Sequence, residues 1–178
     1  MWLVPRNQRP DDVRTPNLRL EPLAEQHLAF VQAEASKWEV AQRLSSVPHP
    51  YPDDGAADYL ARVQALVAAR EQVSWVVADR ATGTALGVIT LRFFDVDDQP
   101  CWELGYWFAP SAWGRGVATE AAFHVLTFAF RFMEVETVTS GVFLDNPASR
   151  RVLTPPSKLS LIPISEPTRQ AALAVAGV

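Results

Sequence analysis

A single cysteine, Cys101, is the only thiol in this 178-residue chain. It excludes an internal disulfide and a zinc cluster, and suits a reducing, cytoplasmic setting. Positive charge is not in excess: the net charge is -4, with a pI of about 5.4, so no basic field is available to draw in nucleic acid or an anionic membrane. No apolar run approaches the roughly 20 residues a membrane helix needs, and the N-terminal MWLVPRNQRPDDVR lacks the apolar stretch of a secretory signal. His27, His49 and His124 share no metal-ligand spacing and read as surface or packing residues, so no metal is expected. The 48% hydrophobic and 20% charged composition supports one domain with a real core.

Hydrophobic periodicity divides the chain. Residues 1–14 read as a loose N-terminal arm. Leu18-Arg19-Leu20 alternates as a strand, and Leu23, His27, Leu28 and Val31 recur at helical spacing. The prolines at 48, 50 and 52 impose a loop. Asp53 and Asp54 stand where they can cap a helix carrying Tyr59, Leu60, Val63, Leu66 and Val67. Strands are expected at 74–78, 86–91, 101–108 and 137–142, with a loop at Asp95, Asp97 and Asp98. A long helix is expected from about Gly114 to Met133, with Phe123, Phe128, Phe130 and Phe132 as its core residues, and another helix after Asn146-Pro147. The order β-α-α-β-β-β-α-β-α describes an α/β (α+β) domain whose mixed sheet is mostly antiparallel.

The chemistry concentrates in Ala109-Pro110-Ser111-Ala112-Trp113-Gly114-Arg115-Gly116-Val117-Ala118-Thr119-Glu120-Ala121, between a strand and a helix. Gly114 and Gly116 allow a tight turn with exposed amides. The following helix start adds its free N–H groups and positive dipole end, which suit a pyrophosphate. Arg115 can add a charged contact. A glycine pair is also what an ordinary turn into a helix needs. A P-loop is excluded because no Gly-Lys-Ser/Thr follows. The dinucleotide fingerprint fails because Thr119 stands in place of its third glycine.

Several motifs in order make residues 15–153 resemble the GNAT superfamily of acyl-CoA-dependent N-acetyltransferases, in its RimJ/RimL-like branch. They are Thr15-Pro16-Asn17-Leu18-Arg19-Leu20-Glu21-Pro22-Leu23, Pro50-Tyr51-Pro52, Glu103-Leu104-Gly105-Tyr106-Trp107, the glycine loop from Trp113, and Asp145 to Leu153. The resemblance implies acetyl-CoA wedged between two splayed parallel strands, 101–108 and 137–142. Its pyrophosphate would lie on the Gly114, Arg115, Gly116, Val117, Ala118 and Thr119 segment, next to Trp113. Its pantetheine arm would pair with main chain near Phe108 and Ala109, and Asn146 would contact the cofactor. It further implies that Ser149 protonates the leaving thiolate; a plain helix-surface hydroxyl is the other reading.

The reaction needs a base for the amine, and Glu103 is the candidate, with a solvated strand-edge glutamate as the alternative. Trp38 and Tyr51 lie where this fold admits acceptors, or anchor loops. The implied partner is an amine substrate, a protein N terminus or a small amine; an acyl-CoA-binding remnant without turnover is the non-enzymatic alternative. The pattern breaks at Thr154-Pro155-Pro156. Residues 154–178 are therefore expected to be a foreign or disordered tail on a truncated domain, with the last two strands missing. Within it, Leu159 to Arg169 resembles the translation of a transposase-based sequencing adapter.

Overall fold

The computed structural model describes residues 13, 15–44, 47–96, 99–133, 135, 137–143, 146–153, 161–164 and 170–176; at 95, 96, 99, 100, 143, 161–164 and 170–176 only the main chain is described. Of the N-terminal arm only Val13 is described, and it is buried in the core. Asp97, Asp98 and Asp145 lie outside the described residues.

Strand β1 (Leu18–Pro22) leads through a short turn of helix to α1 (Leu28–Ala35), α2 (Trp38–Ala41) and α3 (Gly55–Ala68). An antiparallel meander follows: β2 (Gln72–Asp79), β3 (Ala85–Val96) and β4 (Gln99–Phe108). Helix α4 (Val117–Phe132) then crosses to β5 (Thr137–Phe143), which lies parallel to β4, before α5 (Pro147–Leu153). This is the expected mixed, mostly antiparallel sheet.

Side-chain alternation sorts the core into two layers. On one face Trp75, Ile89, Leu91, Leu104 and Val138 pack with Val125, Phe128 and Ala129 of α4. Trp75 is fully buried and meets Phe128 edge-on at 5.8 Å between ring centroids, so truncating it to alanine would cost about 3–5 kcal/mol. On the other face Val76 and Val88 pack with Val31, Leu60 and Val63 of α1 and α3, and Trp107 stacks on Phe30 at 5.7 Å. Helices therefore cover both faces of the strands that end at the site.

Three expectations need correction. Phe123 is 62% exposed and lies on the outer side of α4, because the helix's apolar stripe follows Val117, Ala121, Val125 and Phe128. Asp54 occupies the α3 N-cap position without a side-chain cap bond, its backbone lying outside the extended conformation a capping side chain needs. Most substantially, two strands stand where the last two were expected to be missing. These are β6 (Leu161–Ile164) and β7 (Gln170–Ala176), giving the order β1-β2-β3-β4-β5-β7-β6. β7 runs antiparallel to β5 from Thr137↔Ala176 to Phe143↔Gln170. The open edge of β5 presents main-chain donors and acceptors that accept an extended partner. The apolar stretches on either side of Pro167 supply one, although Pro163 and Pro167 hide the pattern in sequence.

Candidate active site

β4 and β5 pair only at Trp102↔Val138 and Glu103↔Thr139, and the ladder stops there. β4 remains paired on its other side with β3 as far as Gly87↔Phe108, while β5 is drawn onto β7. Where two strands part, main-chain groups lose their partners and face a gap. The gap opens into a cleft of about 1140 Å³, whose wall includes Glu103, Tyr106, Phe108, Gly116, Asn146 and Ser149.

The mouth of the cleft is the turn before α4. Gly114 (φ 71°) and Gly116 (φ 77°) both adopt left-handed backbone, and a Cβ at either position would meet nothing within 4 Å. Their requirement is conformational: an L side chain in that region costs roughly 1–2 kcal/mol. α4 begins at Val117 with no side-chain cap, so the first-turn amides have no intrahelical acceptor and remain open to an anion. Gly114, Gly116, Val117, Ala118 and Thr119 all line the cleft. A pyrophosphate fits this cradle, which holds it through main-chain N–H groups without relying on a side chain.

Trp113 donates its indole N–H to the Phe108 carbonyl at 2.8 Å. Ala109 turns its own N–H back to Leu86 O at 2.8 Å, so it does not offer that donor to a ligand. Arg115 is absent from the cleft wall: its guanidinium lies 3.7 Å from Asp79 Oδ2 and donates to Ser111 O at 3.3 Å. The Arg115 side chain is thus directed to Asp79 and Ser111.

Glu103 is half-buried between β3 and β5, opposite Arg92 and beside Gly141. Burial pushes its carboxyl above the ordinary glutamate range, against the opposing pull of the Arg92 charge and of a hydrogen bond from the Gly141 N–H. The gap in side chains at Gly105, where a Cβ would meet nothing within 4 Å, leaves space next to it.

Across the sheet, Ser149 Oγ lies 2.7 Å from the Tyr106 hydroxyl. Asn146 Oδ1 accepts the Ser149 N–H at 3.1 Å and holds the start of α5. Burial pushes the Tyr106 phenol up to about 12, with the Ser149 hydrogen bond acting in the other direction. It stays protonated at neutral pH, and either hydroxyl can be the donor of the pair. Sequence reasoning missed Tyr106: its place in an alternating strand marks it only as an inward side chain, and its partner is 43 residues away. Among the described residues no group of three or more His, Cys, Asp or Glu side chains can hold a metal, and Cys101 is half-buried near Thr139 Oγ1 at 3.4 Å.

A mixed sheet whose one parallel pair splays over a helix-start anion cradle defines an α/β domain built to receive a phosphate-bearing cofactor. The family model "Acetyltransferase (GNAT) domain" matches residues 17–155, and the chain belongs to that family. Enzymes of this family use acetyl-CoA as their acyl donor.

The acetyltransferase from Agrobacterium tumefaciens str. C58 superposes with a TM-score of 0.74 at 22% identity, over 92% of this chain and 93% of that one. RimL, a ribosomal L7/L12 alpha-N-protein acetyltransferase solved with coenzyme A, gives 0.78 at 15% identity over 92% and 97%. Spermidine N-acetyltransferase from Vibrio cholerae, solved with CoA and spermine, gives 0.66 at 15% over 89% and 93%. These likenesses are of fold. A sequence relative, YkkB of Bacillus subtilis (strain 168), itself uncharacterized, is 33% identical over 78 residues. The match spans 44% of this chain and 45% of YkkB, less than half the length of that relative. Among the described residues no helix is long and apolar enough to cross a membrane.

Proposed function

We propose that this chain is a RimJ/RimL-like N-acetyltransferase of the cytoplasm that acetylates a primary amine, the α-amine of a protein N terminus. The observation that carries this reading is the parting of β4 and β5 beyond Glu103↔Thr139, above the cradle that starts α4. Residues 15–153 form the catalytic domain, and residues 154–178 are foreign to it in origin.

Acetyl-CoA supplies an activated thioester. The amides of Gly114 and of Gly116 to Thr119 hold its pyrophosphate, Trp113 and Phe108 shape the mouth, and Asn146 lies beside the bound arm. Glu103 takes a proton from the incoming amine, directly or through one water, leaving the nitrogen lone pair free to attack. Its raised pKa brings it towards the value a base needs near neutral pH. Ser149, hydrogen-bonded to Tyr106, gives its hydroxyl proton to the sulfur as the carbon–sulfur bond breaks and takes in its place the proton that the new amide nitrogen loses, while Glu103 passes its own proton to solvent. The amide product keeps the acetyl group, and free thiol is released.

The test is thiol release by the full chain with acetyl-CoA and three acceptor sets: N-terminal peptides, polyamines and amino sugars. Turnover on peptides alone is expected. Turnover on small amines alone would overturn the acceptor assignment. CoA binding without thiol release on any amine would identify a binding remnant instead of an enzyme.

A further inference from the structure

The half of the cleft distant from the cradle has an unusual charge for this chain. Arg43, following α2, Arg62 on α3 and Arg92 on β3 all line it. Among the described residues none of the three lies in a salt bridge, whereas Arg19, Lys37 and Arg115 elsewhere each do. The facing carboxylates on this wall are Glu39 and Glu103. Arg62 stands close enough to Tyr51 and Tyr59 that its charge opposes the burial raising both phenols. Arg92 lies across the Phe94 ring at 4.8 Å, and its charge also acts on Glu103, its partner in the β3–β4 register. With Arg151 of α5, a chain of net charge -4 thus places four arginines on the wall of this cleft.

Arg43, Arg62 and Arg92 are solvent-exposed on the cleft wall, and guanidinium groups so placed are matched by carboxylates, which they bind through paired N–H donors. A polycation in the same channel would meet like charge and lose affinity. Building on the transferase reading above, we propose that the acceptor is an acidic amine: a primary amine whose own molecule carries carboxylates, held by Arg43, Arg62 and Arg92. The amine is thereby directed towards Glu103 while its carboxylates remain in the outer channel. Tyr51 and Tyr59, which line the same wall, supply phenolic donors to the same anion.

The experiment uses the full chain and four amines. Two are peptides of equal length with an N-terminal serine, one followed by aspartates and glutamates and the other by lysines; the others are free glutamate and spermidine. The expected result is a KM for the acidic peptide at least about tenfold below that for the basic one, with spermidine the poorest acceptor. Turnover of glutamate as well as the acidic peptide would place the ligand at amino-acid size; turnover of the peptide alone would require a longer chain. Both results support the charge assignment. Arg62→Gln and Arg92→Gln should each reduce the ratio of the two peptide KM values.

Direct binding separates this inference from the transferase reading. Fluorescence anisotropy with the labelled, N-acetylated acidic peptide needs no turnover. Binding that weakens in Arg62→Gln, without acetylation of any amine, would sustain the charge assignment and remove the enzyme assignment. Equal KM values for the two peptides, a preference for spermidine, or binding indifferent to both substitutions would overturn the proposal.

Discussion

Trp113 Nε1 donates to the main-chain oxygen of Phe108 at 2.8 Å, and so joins the phosphate cradle to the last residue of β4. The indole is 46% exposed, so packing alone does not hold it; the hydrogen bond fixes its direction. Trp113→Phe retains the aromatic bulk and removes the donor. One such bond is worth about 1 kcal/mol, so the dissociation constant for CoA should rise about fivefold. Titration calorimetry with CoA checks this, and an unchanged affinity would show that the cradle needs no such tie.

Glu103 acts as a base only when ionised, and burial holds its pKa above the ordinary carboxylate range. The rate therefore falls as pH drops through that raised value. Glu103→Gln should lower kcat/KM by about a hundredfold or more and abolish the acidic limb of the profile. Its stability consequence has the opposite sense. The folded protein binds this proton more tightly than the unfolded chain, so ionisation of Glu103 costs stability as pH rises through the unfolded-state value. The glutamine variant should therefore melt no lower than the parent at neutral pH. A variant that keeps its acidic limb would assign the base elsewhere.

Ser149→Ala removes the hydroxyl 2.7 Å from Tyr106 and leaves the Asn146 cap on the residue 149 amide in place. If the hydroxyl delivers the proton to sulfur, kcat should fall about a hundredfold while CoA affinity changes little. Equal losses in kcat and in affinity would make Ser149 a binding residue only. Tyr106→Phe should produce a smaller loss, since Ser149 Oγ would then have to be oriented by water.

Strands β1 to β5 and the long helices are legible because their periodicity is local, as is the glycine turn; β6 and β7 are not. Arg115 was legible as a residue but not in direction: only the β2–β3 hairpin, which brings Asp79 alongside, turns it away from the cleft. Four-residue α2 has too few turns to show a period. The pairing of Tyr106 with Ser149, and the gathering of Arg43, Arg62 and Arg92, depend on which strands and helices become neighbours. Those contacts span up to 49 positions of sequence and leave no local pattern.

Glu120, in the first turn of α4, shows how two distant motifs meet. Its Oε1 accepts the Thr15 hydroxyl at 2.7 Å and the Asn17 N–H at 2.8 Å, and its Oε2 accepts Asn17 Nδ2 at 3.0 Å. Partial burial works against ionisation, but these hydrogen bonds outweigh it and hold the carboxyl below the ordinary glutamate value. A lowered folded-state pKa gives stability that is present above the unfolded-state value and lost as pH falls towards the folded one. Glu120→Ala should cost about 1 kcal/mol, a modest figure because the group is largely solvated. The difference between the melting curves of parent and variant should start to shrink as pH falls through the unfolded-state carboxyl value and be lost only below the lower folded-state value, where Glu120 is protonated in both states. A constant difference across the acid range would remove the charge from the account.

Strand β7 covers the edge of β5 through seven register pairs, yet its sequence is Gln-Ala-Ala-Leu-Ala-Val-Ala. Alanine is a weak strand former with little surface to bury. Its partner β6 contains Pro163, which has no N–H for the ladder. The segment therefore pairs with main-chain groups of β5 while offering mostly alanine side chains. Deleting residues 154–178 should leave Thr137–Phe143 as an open edge, so the shortened chain should scatter light on warming and melt lower. Replacing Ala172 and Ala174 with valine in the full chain should raise Tm by a few degrees, because branched side chains favour the pleated conformation. If the shortened chain melts with the parent and stays monomeric, residues 154–178 contribute nothing to the fold, and their foreign origin becomes the consistent reading.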